Sequence, residues 1–141
     1  MSSEQLKHLE FIQNVITRMN SNSFQIKGWA VTIISALLAV YSTNNNNSLI
    51  LICILPTTVF WFLDSYYLCQ ERKFRGLFND IAEVSKVEDR KELKIFEMRP
   101  DLYVDGKYSY RSSLLSGTML IFYLPLILIL FGLYLIFNCI I

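Results

Sequence analysis

Apolar residues recur at three- and four-residue steps near the start of the chain. Between residues 3 and 20 this spacing places them on one face of a helix, with most of the polar residues elsewhere. Ser2 and Gln5 have the spacing of a capping box, and NSNS at 20–23 predicts the end of the helix. We therefore expect an amphipathic helix over residues 1–22. It either lies in a membrane interface or packs on another part of the protein, and its mixed charges favour packing.

Three long apolar blocks follow this helix. Residues 24–43 and 48 to about 69 flank the uncharged stretch NNNN at 44–47, which predicts a turn, and residues 112–141 contain a third block whose span starts near Gly117. Each is long enough for the roughly 20 residues that a helix needs to cross a bilayer. The sequence predicts an all-α membrane protein with three transmembrane helices: a two-span hairpin over residues 23–69 and a third span within 112–141.

Charged residues are concentrated between the second and third blocks. Residues 70–111 hold ten of the thirteen basic residues and nine of the twelve acidic residues. Apolar positions up to Val84 continue the helical stripe of the second block, so we expect one helix from about 49 to 87. Around VDGK at 104–107, polar and apolar residues alternate, which is also consistent with a short pair of strands.

The basic residues also predict an orientation. An excess of Lys and Arg marks the cytoplasmic side of a membrane protein, and the 44–47 stretch has neither. We expect a multi-pass protein of a bacterial inner membrane, with the N-terminus and residues 70–111 in the cytoplasm and the C-terminus in the periplasm.

Asp64 is the one acidic residue of the apolar blocks. It lies about 24 Å along the second helix from Ser48, near the inner edge of a hydrocarbon core roughly 30 Å thick. A carboxylate at this depth is costly without a partner. We expect Asp64 to pair with Lys27, at the same edge of the first block, or with Arg111, before the third, and thereby to lock helices or subunits together.

A different interpretation treats Asp64 as an interfacial residue, solvated by headgroup water and backed by aromatic residues. The predicted interfacial residues comprise aromatic anchors and basic headgroup contacts: Trp29, Trp61, Tyr66, Tyr67, Arg72, Lys73 and Arg75. Small residues recur at four-residue steps in the first block, where they either let a second helix approach closely or simply reflect the composition of spans: Gly28, Thr32, Ser35, Ala36 and Ala39.

Signals of catalysis, cofactor binding and nucleic-acid binding are missing from the sequence. No nucleophile elbow, phosphate loop or zinc-protease motif occurs, and the single histidine, His8, is predicted to lie on the surface. The three cysteines are widely separated, which favours neither a disulfide framework nor a zinc site. Net charge is +1, so no bulk attraction to nucleic acid is expected. We predict that the protein is not an enzyme and holds no cofactor or metal.

Two stretches carry a resemblance in layout, EFIQNVITRMNSNSFQIKGWAVT at 10–32 and FWFLDSYYLCQERKFRGLF at 60–78. The chain resembles the SLATT-type effectors of bacterial antiphage systems, in which an amphipathic helix precedes a hairpin whose second helix runs on into the cytoplasm. The resemblance implies an effector that responds to a cytoplasmic protein partner or a nucleotide signal, forms a homo-oligomer and perturbs or permeabilises the lipid bilayer. Two other functions remain open: a membrane scaffold or regulatory subunit that anchors a soluble enzyme, and a small channel or transporter.

Overall fold

The computed structural model describes residues 2–44 and 48–140. Within these residues the chain forms four α-helices, which are α1 (Ser3–Asn44), α2 (Ser48–Ile81), α3 (Tyr110–Leu114) and α4 (Gly117–Ile140). Two 3₁₀ turns, Pro100–Leu102 and Gly106–Tyr108, precede α3. The predicted all-α class is confirmed for the described residues, and the predicted turn at 44–47 lies outside them apart from Asn44.

Three of the helices are long and apolar enough to cross a membrane, namely α1, α2 and α4. The third begins at Gly117, where the sequence placed the start of a span. Three such helices indicate a multi-pass membrane protein. The helix α2 lies between the other two, since both α1 and α4 pack against it. Their shared apolar core contains Ile34 of α1, Cys53 of α2 and Leu130 of α4.

The helix α1 runs without a break from Ser3 to Asn44, so the predicted break at 20–23 is wrong. Its start is as predicted, because Ser2 and Gln5 exchange hydrogen bonds between backbone and side chain in a capping box. Ser and Asn weaken a helix only modestly, and packing against a neighbouring helix overrides such preferences. Here Ser23 is buried against α2 and donates a hydrogen bond to Asp64.

One face of α1 is buried along most of its length. The buried apolar residues follow helical spacing on both sides of the predicted break: Leu9, Ile12, Ile16, Ile26, Ala30 and Ile34. The amphipathic N-terminal part and the first apolar block therefore share a single face, which packs on α2. Of the two placements open for the N-terminal part, packing on the protein is the one observed.

The helix α2 ends at Ile81, so the predicted extension to residue 87 is wrong. Glu83 has a left-handed backbone with φ 61°, and the amide of Val84 donates back to the carbonyl of Asn79, which is a common helix ending. The Arg90 guanidinium donates to the carbonyls of Glu83 and Ser85 and holds this turn. Val84 is 72% exposed and does not belong to the apolar stripe that suggested the extension.

The head of the protein comprises residues 3–20, 69–81 and 82–116. Its core contains Ile12 and Ile16 of α1, Leu77 of α2 and Tyr103. The pair of strands predicted around 104–107 is absent from the described residues. Successive local turns take its place, because the amide of Tyr108 donates to Asp105 and the amide of Ser109 donates to Gly106.

Candidate functional site

The carboxylate of Asp64 is completely buried at the point where α1, α2 and α4 meet. Three side chains donate to it. Ser23 of α1 donates to Oδ1. Lys27 Nζ lies 2.5 Å from Oδ2 in a salt bridge, and the Tyr123 hydroxyl of α4 donates to the same oxygen at 3.0 Å. One acidic side chain therefore connects all three long helices.

Helical spacing explains why α1 supplies two of these donors. Ser23 and Lys27 lie one turn apart, so both reach the same neighbour on α2. Lys27 Nζ also donates to Ser23 Oγ at 3.0 Å, which leaves the serine proton free to point at Asp64. Because a buried charge is stable only when it is paired and hydrogen-bonded, the three donors are what allows an ionised carboxylate at this position.

Aromatic rings enclose the carboxylate on the α4 side. Trp61 stacks on Tyr123 with ring centroids 6.1 Å apart, and Phe122 meets Tyr123 edge-on at 4.8 Å. The Trp61 indole donates to the carbonyl of Leu114 at 3.1 Å, which ties α2 to the segment before α4. These contacts fix the ring of Tyr123 and so orient its hydroxyl toward Asp64.

Among the residues predicted to form the charge pair, the structure brings together Lys27 and Asp64. Arg111 is exposed and is not among the donors to the carboxylate. The interpretation of Asp64 as a residue solvated by headgroup water does not describe its environment, since the side chain has no exposed surface. Of the aromatic residues predicted to back it, Trp61 lies beside the site, whereas Tyr66 is half-exposed and meets Tyr67 at its edge.

The small residues predicted to pack helices all lie on the exposed side of α1: Gly28, Thr32, Ser35, Ala36 and Ala39. By helical geometry this small-residue face is opposite the face that packs on α2. A Cβ atom added at Gly28 would meet nothing within 4 Å. Trp29 is also exposed on this helix. Within the described part of one copy, the small-residue face is therefore not used for packing.

The basic residues predicted to contact headgroups differ in their surroundings. Arg72 donates to the carbonyl of Lys107 and to the hydroxyl of Ser112, both at 3.2 Å. Arg75 pairs with the carboxylate of Glu71, 2.7 Å away and one turn earlier on α2. Lys73 lies between them in sequence and is half-buried. Of these three residues, only Arg72 connects α2 to the segment that leads into α4.

A second buried carboxylate, Asp80, went unrecognised in the sequence. It accepts a hydrogen bond from the Tyr103 hydroxyl at 2.5 Å and one from the amide of Lys91 at 3.3 Å. The Lys91 ammonium lies 4.2 Å from the centre of the Tyr103 ring. Burial, with the hydrogen bond to Asp80, raises the pKa of Tyr103 well above its usual value. The only local signal was the position of Asp80 on the apolar stripe of α2.

His8 is buried, so the prediction of a surface histidine is wrong. Its Nδ1 accepts a hydrogen bond of 3.1 Å from the amide of Phe96, and the two rings lie 5.6 Å apart. Phe96 has a left-handed backbone with φ 64°, which is unusual for a residue with a large side chain. Burial lowers the pKa of His8 below its usual value. The contact joins residues 88 positions apart, which local sequence does not reveal.

The geometry of the Asp64 site suits it to holding helices together. Its carboxylate is neutralised by Lys27 and enclosed by Tyr123, and it lies beside apolar rings, with neither a histidine nor a second carboxylate among its hydrogen-bond partners. In the described part of the chain, no group of three histidine, cysteine or acidic side chains is arranged to hold a metal ion. Loss of the carboxylate would remove the polar contact of α2 with both α1 and α4 at this point.

No family model matches the sequence, and no curated protein or solved structure matches it either. The resemblance in layout to SLATT-type effectors therefore stays a prediction.

Proposed function

We propose that this protein is a non-enzymatic effector of the bacterial inner membrane, which assembles through its long helices and permeabilises the bilayer in antiphage defence. The observation that carries the proposal is the exposed small-residue face of α1. Helices associate in lipid through close backbone approach, and small residues at four-residue steps permit that approach. A second copy of the chain packing there would cover Gly28, Ser35 and Ala39, which a single copy leaves exposed.

The Asp64 site supplies the controlled element of this proposal. It lies where the head joins the apolar parts of α1 and α2, and its donors come from two other helices. By the distribution of basic residues, the head faces the cytoplasm, where a protein partner or nucleotide signal would act on it. A shift of the head relative to α4 would break the Tyr123–Asp64 hydrogen bond and let α4 repack, while the Lys27–Asp64 pair keeps α1 and α2 together.

Expression of the full chain in bacteria tests the proposal, alone and with its neighbouring genes, while a dye reports membrane potential. We expect the potential to collapse when the activating neighbour is present. Ser35→Leu, which fills the small-residue face, should prevent the collapse. Ile33→Phe is the matched control, because it adds bulk to an exposed position on another face of α1. A potential that stays intact under every combination of genes overturns the effector function.

A scaffold that anchors a soluble enzyme is the second candidate, and one feature favours it. An open apolar groove of about 610 Å³ runs between the N-terminal part of α1 and residues 96–98. Phe11 and Phe96 line it and are each 47% exposed. Unchanged membrane potential, together with co-purification of an enzyme encoded by a neighbouring gene, would support this function over the first.

A further inference from the structure

A basic cavity of about 360 Å³ lies on the head, beside the segment that leads into α4. Its lining brings together Arg72 and Arg75 of α2, Lys107 of the second 3₁₀ turn and Ser112 of α3. Cations from two separate parts of the chain therefore line one cavity, which is open to its surroundings. The cavity is distinct from the Asp64 site and from the small-residue face.

The cations of this basic cavity are only partly neutralised. Arg72 donates to the Lys107 carbonyl and the Ser112 hydroxyl, and since both acceptors are uncharged, these bonds fix the guanidinium but leave its charge. The Lys107 ammonium lies 5.1 Å from the centre of the Tyr108 ring. Of the three cations, Arg75 is the one that is paired with a carboxylate, that of Glu71. Three cations with one paired carboxylate leave the cavity positive.

The distance of the basic cavity along α2 suits the depth of lipid headgroups. Arg72 is 24 residues beyond Ser48, the first residue of α2, or about 36 Å along the helix, compared with a hydrocarbon core of roughly 30 Å. Ser112 precedes the first residue of α4, Gly117, by five positions. The polar region of a bilayer extends roughly 5–8 Å beyond the hydrocarbon on each side. Long side chains on a helix point toward its N-terminus, which for Arg72 is the direction of the apolar part of α2.

We propose that the basic cavity binds the phosphate group of an anionic ligand, either the headgroup of an anionic phospholipid or a soluble phosphate compound. A guanidinium held in a fixed orientation suits the paired oxygens of a phosphate, and the Lys107 ammonium adds a mobile second charge. The Ser112 hydroxyl supplies a further polar group at the wall. This proposal does not depend on the effector function, because a phosphate site would serve a scaffold or a channel equally well.

Lys73 provides a matched control for this proposal. It is adjacent to Arg72 on α2, carries the same charge at the same depth, and is not part of the cavity lining. Lys107 is the cleanest residue to change, because its side chain is exposed and its contact is with the ring of Tyr108. Lys107→Gln should leave the fold intact, whereas Arg72 holds two chain segments together.

The experiment uses the full chain, purified and stripped of lipid, with binding measured by native mass spectrometry. The probes are phosphatidylglycerol, phosphatidylcholine and, separately, inorganic phosphate. We expect phosphatidylglycerol to bind in preference to phosphatidylcholine. Lys107→Gln and Arg75→Gln should each weaken its binding by about fivefold, because each removes one charge-assisted contact to the phosphate. Lys73→Gln should change binding by less than about twofold, since Lys73 does not line the cavity and solvent screens its charge.

Each outcome decides the proposal. Residue-specific loss of phosphatidylglycerol binding identifies the headgroup as the source of the phosphate. Binding of inorganic phosphate with the same dependence on Lys107 and Arg75, without lipid preference, identifies a soluble source. Equal effects of Lys73→Gln and Lys107→Gln would mean that only the total charge of the surface matters, and would overturn the site. Absence of binding by both phosphate probes would overturn it as well.

Discussion

Tyr103 lies against the backbone of Gly76 so closely that a Cβ atom on residue 76 would stand 2.7 Å from Tyr103 Cδ1. The same atom would be 2.9 Å from the Tyr108 hydroxyl oxygen. Residues 100–108 can therefore dock on α2 only because position 76 has no side chain. Tyr103 cannot move aside easily, since it is buried and its hydroxyl is bound to Asp80.

Gly76→Ala is expected to loosen the head. Overpacking a well-filled core costs about 1–3 kcal/mol, and the clash here involves a buried ring. Thermal unfolding and protease cleavage within residues 82–109 would report the loss. Gly132→Ala is the matched control, because a Cβ there meets nothing within 4 Å in a comparable helix. Equal behaviour of the two variants would contradict the close approach at Gly76.

Removal of either partner of the Lys27–Asp64 pair should destabilise the bundle strongly. Lys27→Met leaves a buried carboxylate without its cation, and such a loss costs roughly 3–5 kcal/mol. Asp64→Leu leaves the lysine unpaired. The double variant should lose much less than the sum of the two, because no charge remains. Unfolding of the four proteins in detergent, as a double-mutant cycle, measures the coupling.

The same pair should matter for toxicity if the effector function holds. Asp64→Ala is expected to lower or abolish toxicity while the protein still inserts in the membrane, because without the pair a movement of the head no longer carries α1 and α2 together. Lys27→Ala should resemble it. Asp101→Ala, which removes an exposed partner of Arg99, is the control and should leave toxicity unchanged. Growth curves, with membrane fractions probed for the protein, give both readouts. Wild-type toxicity of both pair variants would show that the pair is not the controlled element.

The raised pKa of Tyr103 predicts a loss of head stability in strong alkali. In the unfolded chain the tyrosine loses its proton near its usual pKa of 10.0, whereas burial and Asp80 hold the proton in the folded protein. Stability from this hydrogen bond is therefore complete below pH 10 and falls as the pH rises above it. Tyr103→Phe should be less stable at neutral pH and should lack this alkaline step in unfolding experiments.

The lowered pKa of His8 predicts the opposite dependence in weak acid. Since burial keeps His8 neutral in the folded protein, the unfolded chain binds a proton first as the pH falls below 6.5. Protonation also removes the acceptor for the amide of Phe96. Protection of that amide, which is its exchange rate compared with the intrinsic rate of an unstructured amide at the same pH, should fall between pH 8 and pH 5. In His8→Gln, which keeps an acceptor without titrating, this protection should not change with pH.

The sequence predicted the number and order of the long helices better than the residues at which they begin and end. Apolar length alone located the three long helices and the start of α4 at Gly117, because length is what a bilayer demands. The break predicted at 20–23 and the extension of α2 predicted to residue 87 are wrong for a different reason. Ser23 is typical of a helix break but has a hydrogen-bond partner on α2, and Glu83 ends a helix in a conformation that glycine usually adopts.

The candidate site could likewise be predicted only in part. Asp64 could be singled out because an acid inside an apolar block is rare, and Lys27 because it lay at the same depth. Tyr123 could not, since tyrosine is common near membrane surfaces and its hydroxyl bond depends on how α4 packs. Likewise, nothing near His8 in sequence points to Phe96. Contacts between distant segments depend on the tertiary structure, which local sequence patterns do not specify.

The absence of a hinge in α1 has a mechanical consequence. A rod of 42 residues, about 63 Å long, carries the His8 contact near one end and Ala39 near the other, with Lys27 between them. A continuous helix can tilt or rotate as a whole, but it has no hinge at which one part could move without the other. Any movement of the turns around His8 must therefore also move the part of the helix around Ala39, which faces the bilayer.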